Sequence, residues 1–255
     1  MSKKFRNRLL ALFCVLVFLG LGGLFYVNWV VQRPFAVIVF LVDNLTPSVL
    51  TPARNYEGGA DHRLALESFP NLALATTHAN DFAVSDAAAA ATSIGTGRKG
   101  NNGSLGVLSG KNKIPNLLDL AAERGRLTGL ISNASLTDAT PAAFYAKTSD
   151  PLDYMTIARQ LAENPGIDVL LGGGAADFLP TTQGGRRQDG RDLLNEMREK
   201  GYDIALTQAE LEQTPLWRSP KTIGLFGMGN LSFVDEVTVA ATQPSLAAMV
   251  RYAIK

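Results

Sequence analysis

The chain has 255 residues, 46% of them hydrophobic, and carries 24 basic against 23 acidic side chains. That length accommodates one sizeable α/β domain or two small ones, and the near-neutral charge gives no reason to expect nucleic acid as a partner. A lone cysteine, Cys14, excludes an intrachain disulfide and a thiolate metal cluster.

Lys3, Lys4, Arg6 and Arg8 precede residues 9–31, "LLALFCVLVFLGLGGLFYVNWVV", a run without charge. At about 1.5 Å per helical residue it is long enough for a hydrocarbon core of roughly 30 Å. The basic flank holds the N-terminus in the cytoplasm, and Tyr26 and Trp29 fall where interfacial aromatics are expected. A cleaved signal peptide is the alternative. Its apolar region is shorter, about 7–15 residues, and small residues follow it; here the bulky "YVNWVVQRPF" closes and follows the run. The reading is a cytoplasmic basic segment over 1–8, a transmembrane signal anchor over 9–31, and a domain over 34–255 outside the cytoplasm, periplasmic or extracellular. Secretion after cleavage is the competing outcome. Cys14 lies within the apolar run and reads as filler.

"FAVIVFLVD" follows, a β-branched and aromatic run that predicts a buried parallel strand ending at Asp43. Residues 44–83, punctuated by Pro47, Pro52, Gly58, Gly59 and Pro70, read as loops. Asp86 before "AAAAAT" predicts a capped helix. "IPNLLDLAAERG" has Pro115 near a helix start and Gly125 just past its end, and "RLTGLIS" reads as a strand. The alternation continues with a helix in "PLDYMTIARQLAENPG", a strand in "IDVLLGGG" and a helix in "GRDLLNEMREKGY". It ends with a short strand "IAL", a Thr-capped helix "TQAELEQ", a strand "KTIGLFG" and a last helix "PSLAAMVRYAIK". Strands alternating with helices predict an α/β fold, a doubly wound and mostly parallel sheet with helices on both faces.

Ligands of open α/β sheets bind beyond the carboxyl ends of the strands. Asp43 stands at such an end and reads either as a metal-binding carboxylate or as a helix cap or turn. Ala87 follows the Asp86 cap at a helix N-terminus, where free N–H groups favour an anion. It is either a place for a phosphate-accepting nucleophile or simply an alanine that lets a helix pack closely. Asp138 and Thr140, two residues apart after "TGLIS", are oxygen donors of the kind that suits Mg²⁺, or members of a capped polar turn. "LLGGGAADF" lacks the phosphate-loop patterns and reads as a tight strand-to-loop turn. His62 and His78 have no metal-ligand spacing and read as structural or surface residues.

Taken in order, "VDN", "ARNY", "SDAAAAATSIGTGRKGNNGSLGV", "TDATPAAF", "DVLLGGG" and "GLFGMGN" resemble the alkaline phosphatase family of secreted metal-dependent phosphomonoesterases, from about Ala36 to Lys255. The resemblance implies a homodimer acting on phosphate monoesters, with two Zn²⁺ and one Mg²⁺ at the carboxyl end of the sheet. It further implies that a serine forms a phosphoseryl intermediate, hydrolysed by zinc-bound hydroxide. Asp43 matches the carboxylate bridging magnesium and one zinc, Thr140 a direct magnesium ligand, and Asp138 a ligand through water.

Three departures follow from the same alignment. Ala87 stands at the nucleophile position, and Ser85 is two residues away, ahead of the cap. Pro151 stands where the family carries a phosphate-clamping Arg, with Lys147 and Arg159 as the nearest replacements. The remaining zinc and magnesium ligands, which the family draws from a C-terminal half, have no counterpart up to Lys255. The expectation is therefore an inactive or truncated alkaline phosphatase-like protein. Two other readings stand beside it: a phosphatase using metal-held water with ligands from elsewhere, and a non-catalytic membrane-anchored extracytoplasmic binding or assembly module.

Overall fold

The computed structural model describes residues 3–26, 36–108, 114–163, 166–215, 221–233 and 242–255. They divide into two compact units, Met1–Ala73 and Leu74–Lys255.

In the first unit, helix α1 (Lys3–Phe25) is exposed along its length and is long and apolar enough to cross a membrane. Its bounds take in Lys3, Lys4, Arg6 and Arg8. Lys and Arg are good helix formers, and nothing before residue 9 interrupts the turn. Trp29 and the end of the anticipated anchor to residue 31 lie outside the described residues.

Residues 36–42 are exposed and carry no strand assignment, which corrects the expected buried strand. An apolar β-branched run favours extended backbone, but a parallel strand exists only where ladder partners flank it. Asp43 and Asn44 then form a turn, Asn44 in the left-handed region at φ 56°.

The loop expected over 44–83 contains helix α2 (Pro47–Glu57) and a 3-10 turn at Ala65–Ser68. Pro47 occupies the first turn, where its missing N–H has no helical partner to lose, so it starts the helix and does not break it. Arg54 of α2 is ion-paired with Glu67, its Nε donating at 3.1 Å, and Glu67 also accepts the Leu64 N–H at 2.9 Å.

The second unit is built on a four-stranded parallel sheet, β1 (Gly129–Ser135), β2 (Val169–Gly173), β3 (Tyr202–Ala205) and β4 (Lys221–Leu225), in the order β1-β2-β4-β3. Among the described residues seven helices accompany it: α3 (Ala87–Thr96), α4 (Leu117–Glu123), α5 (Ala139–Ala142), α6 (Tyr154–Glu163), α7 (Leu193–Glu199), α8 (Gln208–Gln213) and α9 (Leu246–Ala253).

Successive residues of a strand point to opposite faces, and the two hydrophobic clusters divide the strands accordingly. Leu130, Leu170, Ile204 and Ile223 face α5, α6 and α7, where Ala142, Ile157, Leu161, Leu193 and Met197 are buried. Ile131, Val169, Leu171 and Ala205 face α8 and α9, through Leu211 and Met249. Helices thus cover both faces, which is why β2 reads as a continuous apolar run and not as an alternating one. Burial of each such Leu or Ile contributes about 1.5–3 kcal/mol.

Side-chain caps hold these helices. Asn116 accepts from Leu118 and Asp119 at the start of α4, while the Asp119 carboxylate accepts the Asn116 N–H at 3.0 Å. Thr207 caps α8. Gly125 adopts φ 65° just beyond α4.

Candidate functional site

The stretch 85–107 forms α3 and a loop that returns along it. Asp86 is the N-cap: its Oδ1 accepts the Ala89 N–H at 2.7 Å, and its Oδ2 accepts the Gly103 N–H at 2.6 Å. The Asp86 N–H donates to Asn102 Oδ1 at 2.9 Å, and the Asn102 N–H donates to Asp81 Oδ1 at 3.1 Å. Further along, Thr92 Oγ1 accepts the Gly106 N–H at 3.1 Å and donates to the Ser104 carbonyl at 3.3 Å. Gly100 is the point of closest approach, since a Cβ there would meet Thr92 and the Ala89 backbone.

Ala87 is the first residue inside α3 and is exposed. Ala88, Ala89 and Ala91 are buried, and Ala88 and Ala91 share a core cluster with Ala142 and Ala143 at α5. A Cβ on Gly95 would press on the Phe144 ring at 3.2 Å. The small residues therefore do pack α3 closely, as the simpler reading of the alanine run expects. Only Ala87 points away from that role.

Asp138 and Thr140 lie immediately beyond the carboxyl end of β1, both half-buried. Asp138 caps the short α5, its Oδ1 accepting the Ala139 N–H at 2.6 Å. Around them sit residues that the sequence reading did not single out. Tyr145 donates its hydroxyl to the Leu136 carbonyl at 2.7 Å, and burial raises its phenol well above the ordinary value, with the charge of Asp177 adding to the effect. Thr137 and Asp177 are both buried. The signals for them were present but weak: Thr137 directly precedes Asp138, and Asp177 follows the glycine run.

That run makes a tight turn, as expected. Gly174 is at φ 93°, and its N–H donates to the Gly227 and Gly229 carbonyls, tying the end of β2 to "GMGN" after β4. The Ser135 N–H donates to Asn230 Oδ1 at 2.8 Å in the same region.

α3 packs against α5, so the Ala87 helix and the Asp138–Thr140 turn are neighbours in the second unit. Asp43 belongs to the first unit and stands there in its exposed turn. Neither candidate for a replacement phosphate clamp is disengaged. Lys147 is paired with Asp119 at 3.0 Å, on the wall of a cleft of about 490 Å³ that Leu118, Phe144 and Ile167 also line. Arg159 is paired with Glu163 at 3.1 Å along α6. His62 and His78 are exposed, and the His78 carbonyl accepts from Lys99.

The donor set bears on the metals that the resemblance implies. Among the described residues no group of three or more His, Cys, Asp or Glu side chains is arranged to hold a metal ion. A zinc pair needs several nitrogen or oxygen ligands per ion and does not fit these residues. Asp138 and Thr140 carry oxygen donors of the class that magnesium takes, two against its usual six.

The family profile described as Alkaline phosphatase matches residues 36–255. The chain is 31% identical over 233 residues to alkaline phosphatase of Schizosaccharomyces pombe, covering 88% of this chain and 43% of that protein. It is 35% identical over 201 residues to streptomycin-6-phosphate phosphatase of Streptomyces griseus, covering 69% and 44%. Among solved structures, a cold-active alkaline phosphatase from Shewanella aligns with a TM-score of 0.71 at 26% identity, over 84% of this chain and 50% of that one. The enzyme from Thermus thermophilus aligns at 0.62 and 31% identity, over 70% and 36%. The chain spans about half the length of the curated relatives it matches.

Proposed function

The chain belongs to the alkaline phosphatase family, and from that premise we propose that it keeps the α3 corner of a phosphomonoesterase site but forms no phosphoserine. The observation that carries this is Ala87, the first residue of α3, at the position to which the resemblance assigns the nucleophile. A methyl group has no lone pair to attack phosphorus and no proton to give up. The neighbouring hydroxyls offer no substitute: Ser85 precedes the cap, and Ser93 donates its own hydroxyl to the Ala89 carbonyl at 2.7 Å.

Within this reading Asp138 and Thr140 contribute oxygens to a magnesium site, and Asp43 is the carboxylate that links magnesium to zinc in a complete ligand set. Phosphate monoesters are the ligand class, and a homodimer is the assembly. α1 anchors the chain in a membrane, with Lys3, Lys4, Arg6 and Arg8 on the cytoplasmic side and the remainder outside. Its length and apolar composition support the anchor.

The test uses the full chain in detergent micelles with Zn²⁺ and Mg²⁺, assayed for aryl phosphate hydrolysis. No turnover above the metal-only control is expected. Turnover that a chelator abolishes would overturn the proposal.

A further inference from the structure

Three side chains in the second unit, Ser135, Thr137 and Asp177, share one hydrogen-bond path. Thr137 Oγ1 donates to Asp177 Oδ2 at 2.6 Å, and Thr137 and Ser135 hydroxyls are 2.8 Å apart. A hydroxyl has one proton, and that of Thr137 goes to the carboxylate, so the Ser135 hydroxyl donates to Thr137. Asp177 is 2% exposed, and among the described residues its second oxygen has no hydrogen-bond partner; the Arg186 guanidinium reaches it only at 3.6 Å.

A buried carboxylate with one oxygen left over is costly, and the Arg186 guanidinium at 3.6 Å offsets part of that cost. The structure holds Asp177 firmly in place: its backbone N–H donates to Gly174, and its carbonyl accepts from the buried Arg187 at 3.2 Å. Its one strong side-chain bond lands on the residue immediately before Asp138. On the other side, Tyr145 holds the Leu136 carbonyl. The turn carrying Asp138 and Thr140 is thus clamped from two directions, and Asp177 reaches it across 40 positions of sequence.

We propose that Asp177 is a positioning residue, which fixes the Asp138–Thr140 turn through the Thr137 hydroxyl. Its use to a cation rests on the magnesium reading given above; its hold on the turn does not. A charge-assisted bond in a dry site resists local opening more than a neutral one. Losing it therefore releases the turn before it loosens the sheet.

The experiment is residue-resolved amide hydrogen exchange on the full chain in detergent micelles, with and without Mg²⁺. Thr137→Val removes the hydroxyl at nearly constant shape, and Thr137→Ser restores it. The reporters are the Asp138, Ala139 and Ala142 amides, whose acceptors are Ser135 O, Asp138 Oδ1 and Asp138 O. In Thr137→Val they are expected to exchange about tenfold faster or more, while Leu170 and Ile223 keep the wild-type rate. Thr137→Ser is expected to return them to normal. Asp177→Ala, where it folds, is expected to match Thr137→Val at the turn. Unchanged turn amides in Thr137→Val, or an equal rise across the sheet, would overturn the proposal. Mg²⁺ is expected to slow the turn amides of the wild-type chain and to slow them less in Thr137→Val. If it leaves the wild-type chain unaffected, the magnesium reading falls, and the Thr137→Val comparison still decides the role of Asp177.

Discussion

The Asp86 carboxylate binds Gly103 to the first turn of α3, one oxygen taking the Gly103 N–H at 2.6 Å and the other the Ala89 N–H at 2.7 Å. The residue before Ala87 is thus a cap and a staple for the returning loop at once. Asp86→Ala removes both bonds and is expected to cost about 2–3 kcal/mol, about 1 of it from the cap. In a unit of this size that lowers the thermal midpoint by roughly 5–10 °C. Asp86→Asn keeps one acceptor oxygen for the cap but turns an amide N–H toward the Gly103 N–H, so it is expected to recover only the cap's share, about 1 kcal/mol. Circular dichroism melting of the full chain in detergent checks both, and an unchanged midpoint in Asp86→Ala would show that the loop is held elsewhere.

The end of β2 tolerates no side chain. Gly174 is at φ 93°, and a Cβ there would overlap the Ser135 hydroxyl. Gly201 has a similar φ of 89° but open space around it. Both alanine variants are strained by about 1–3 kcal/mol from backbone conformation alone. Only Gly174→Ala adds a collision, bringing its expected cost to about 3 kcal/mol or more. Urea midpoints should therefore rank wild type above Gly201→Ala, and Gly201→Ala well above Gly174→Ala. Equal midpoints for the two variants would remove the steric argument.

How far the sequence reveals this arrangement depends on the range of the interaction involved. Thr207 and Asp86 announce their helices because a cap acts within three residues. β2 is legible because a short apolar run closed by glycines has few other readings. Pro47 misleads, since a proline at a first helical position and a proline in a loop look alike until the following turn is seen. Residues 36–42 mislead in the other direction: apolar composition says what a strand would bury but supplies no ladder partner. Thr137 and Asp177 stay hidden because their bond spans 40 positions and leaves no period in the sequence. The resemblance at Ala87 rests on one stretch, 84–107, where the order of residue types is local and so readable from the sequence.

Glu67 makes the first unit sensitive to acid. The side-chain bond to Arg54 and the Leu64 N–H pull its carboxyl from the ordinary 4.5 down to about 2. A carboxyl whose folded pKa is depressed adds stability that is present above the unfolded value and lost as pH falls through the folded one. The contribution of Glu67 is therefore intact above about pH 4.5 and fades between there and pH 2. A ¹³C NMR titration is expected to place the Glu67 midpoint near 2 in the wild-type chain and to raise it in Arg54→Met, short of the ordinary value because the Leu64 N–H still donates. The pair is open to solvent, so added salt is expected to narrow the difference. A wild-type midpoint in the usual glutamate range would show that the ion pair does not persist in solution.

α1 offers a test of membrane anchoring that leaves folding aside, because none of its residues is buried. An arginine at the centre of a membrane-spanning helix costs about 2.5–3.5 kcal/mol on insertion scales, so a pair costs roughly 5–7. Leu16 and Leu19 lie near the middle of the uncharged part of the helix and are 59% and 63% exposed, so replacing them empties no core. The wild-type chain is expected to stay with the membrane pellet after alkaline carbonate washing. The Leu16→Arg, Leu19→Arg double variant is expected to leave it for the supernatant, with the far-ultraviolet circular dichroism of the second unit unchanged. If the wild-type chain washes out as readily as the variant, α1 is not an anchor, and the charge asymmetry of Lys3, Lys4, Arg6 and Arg8 carries no topological meaning.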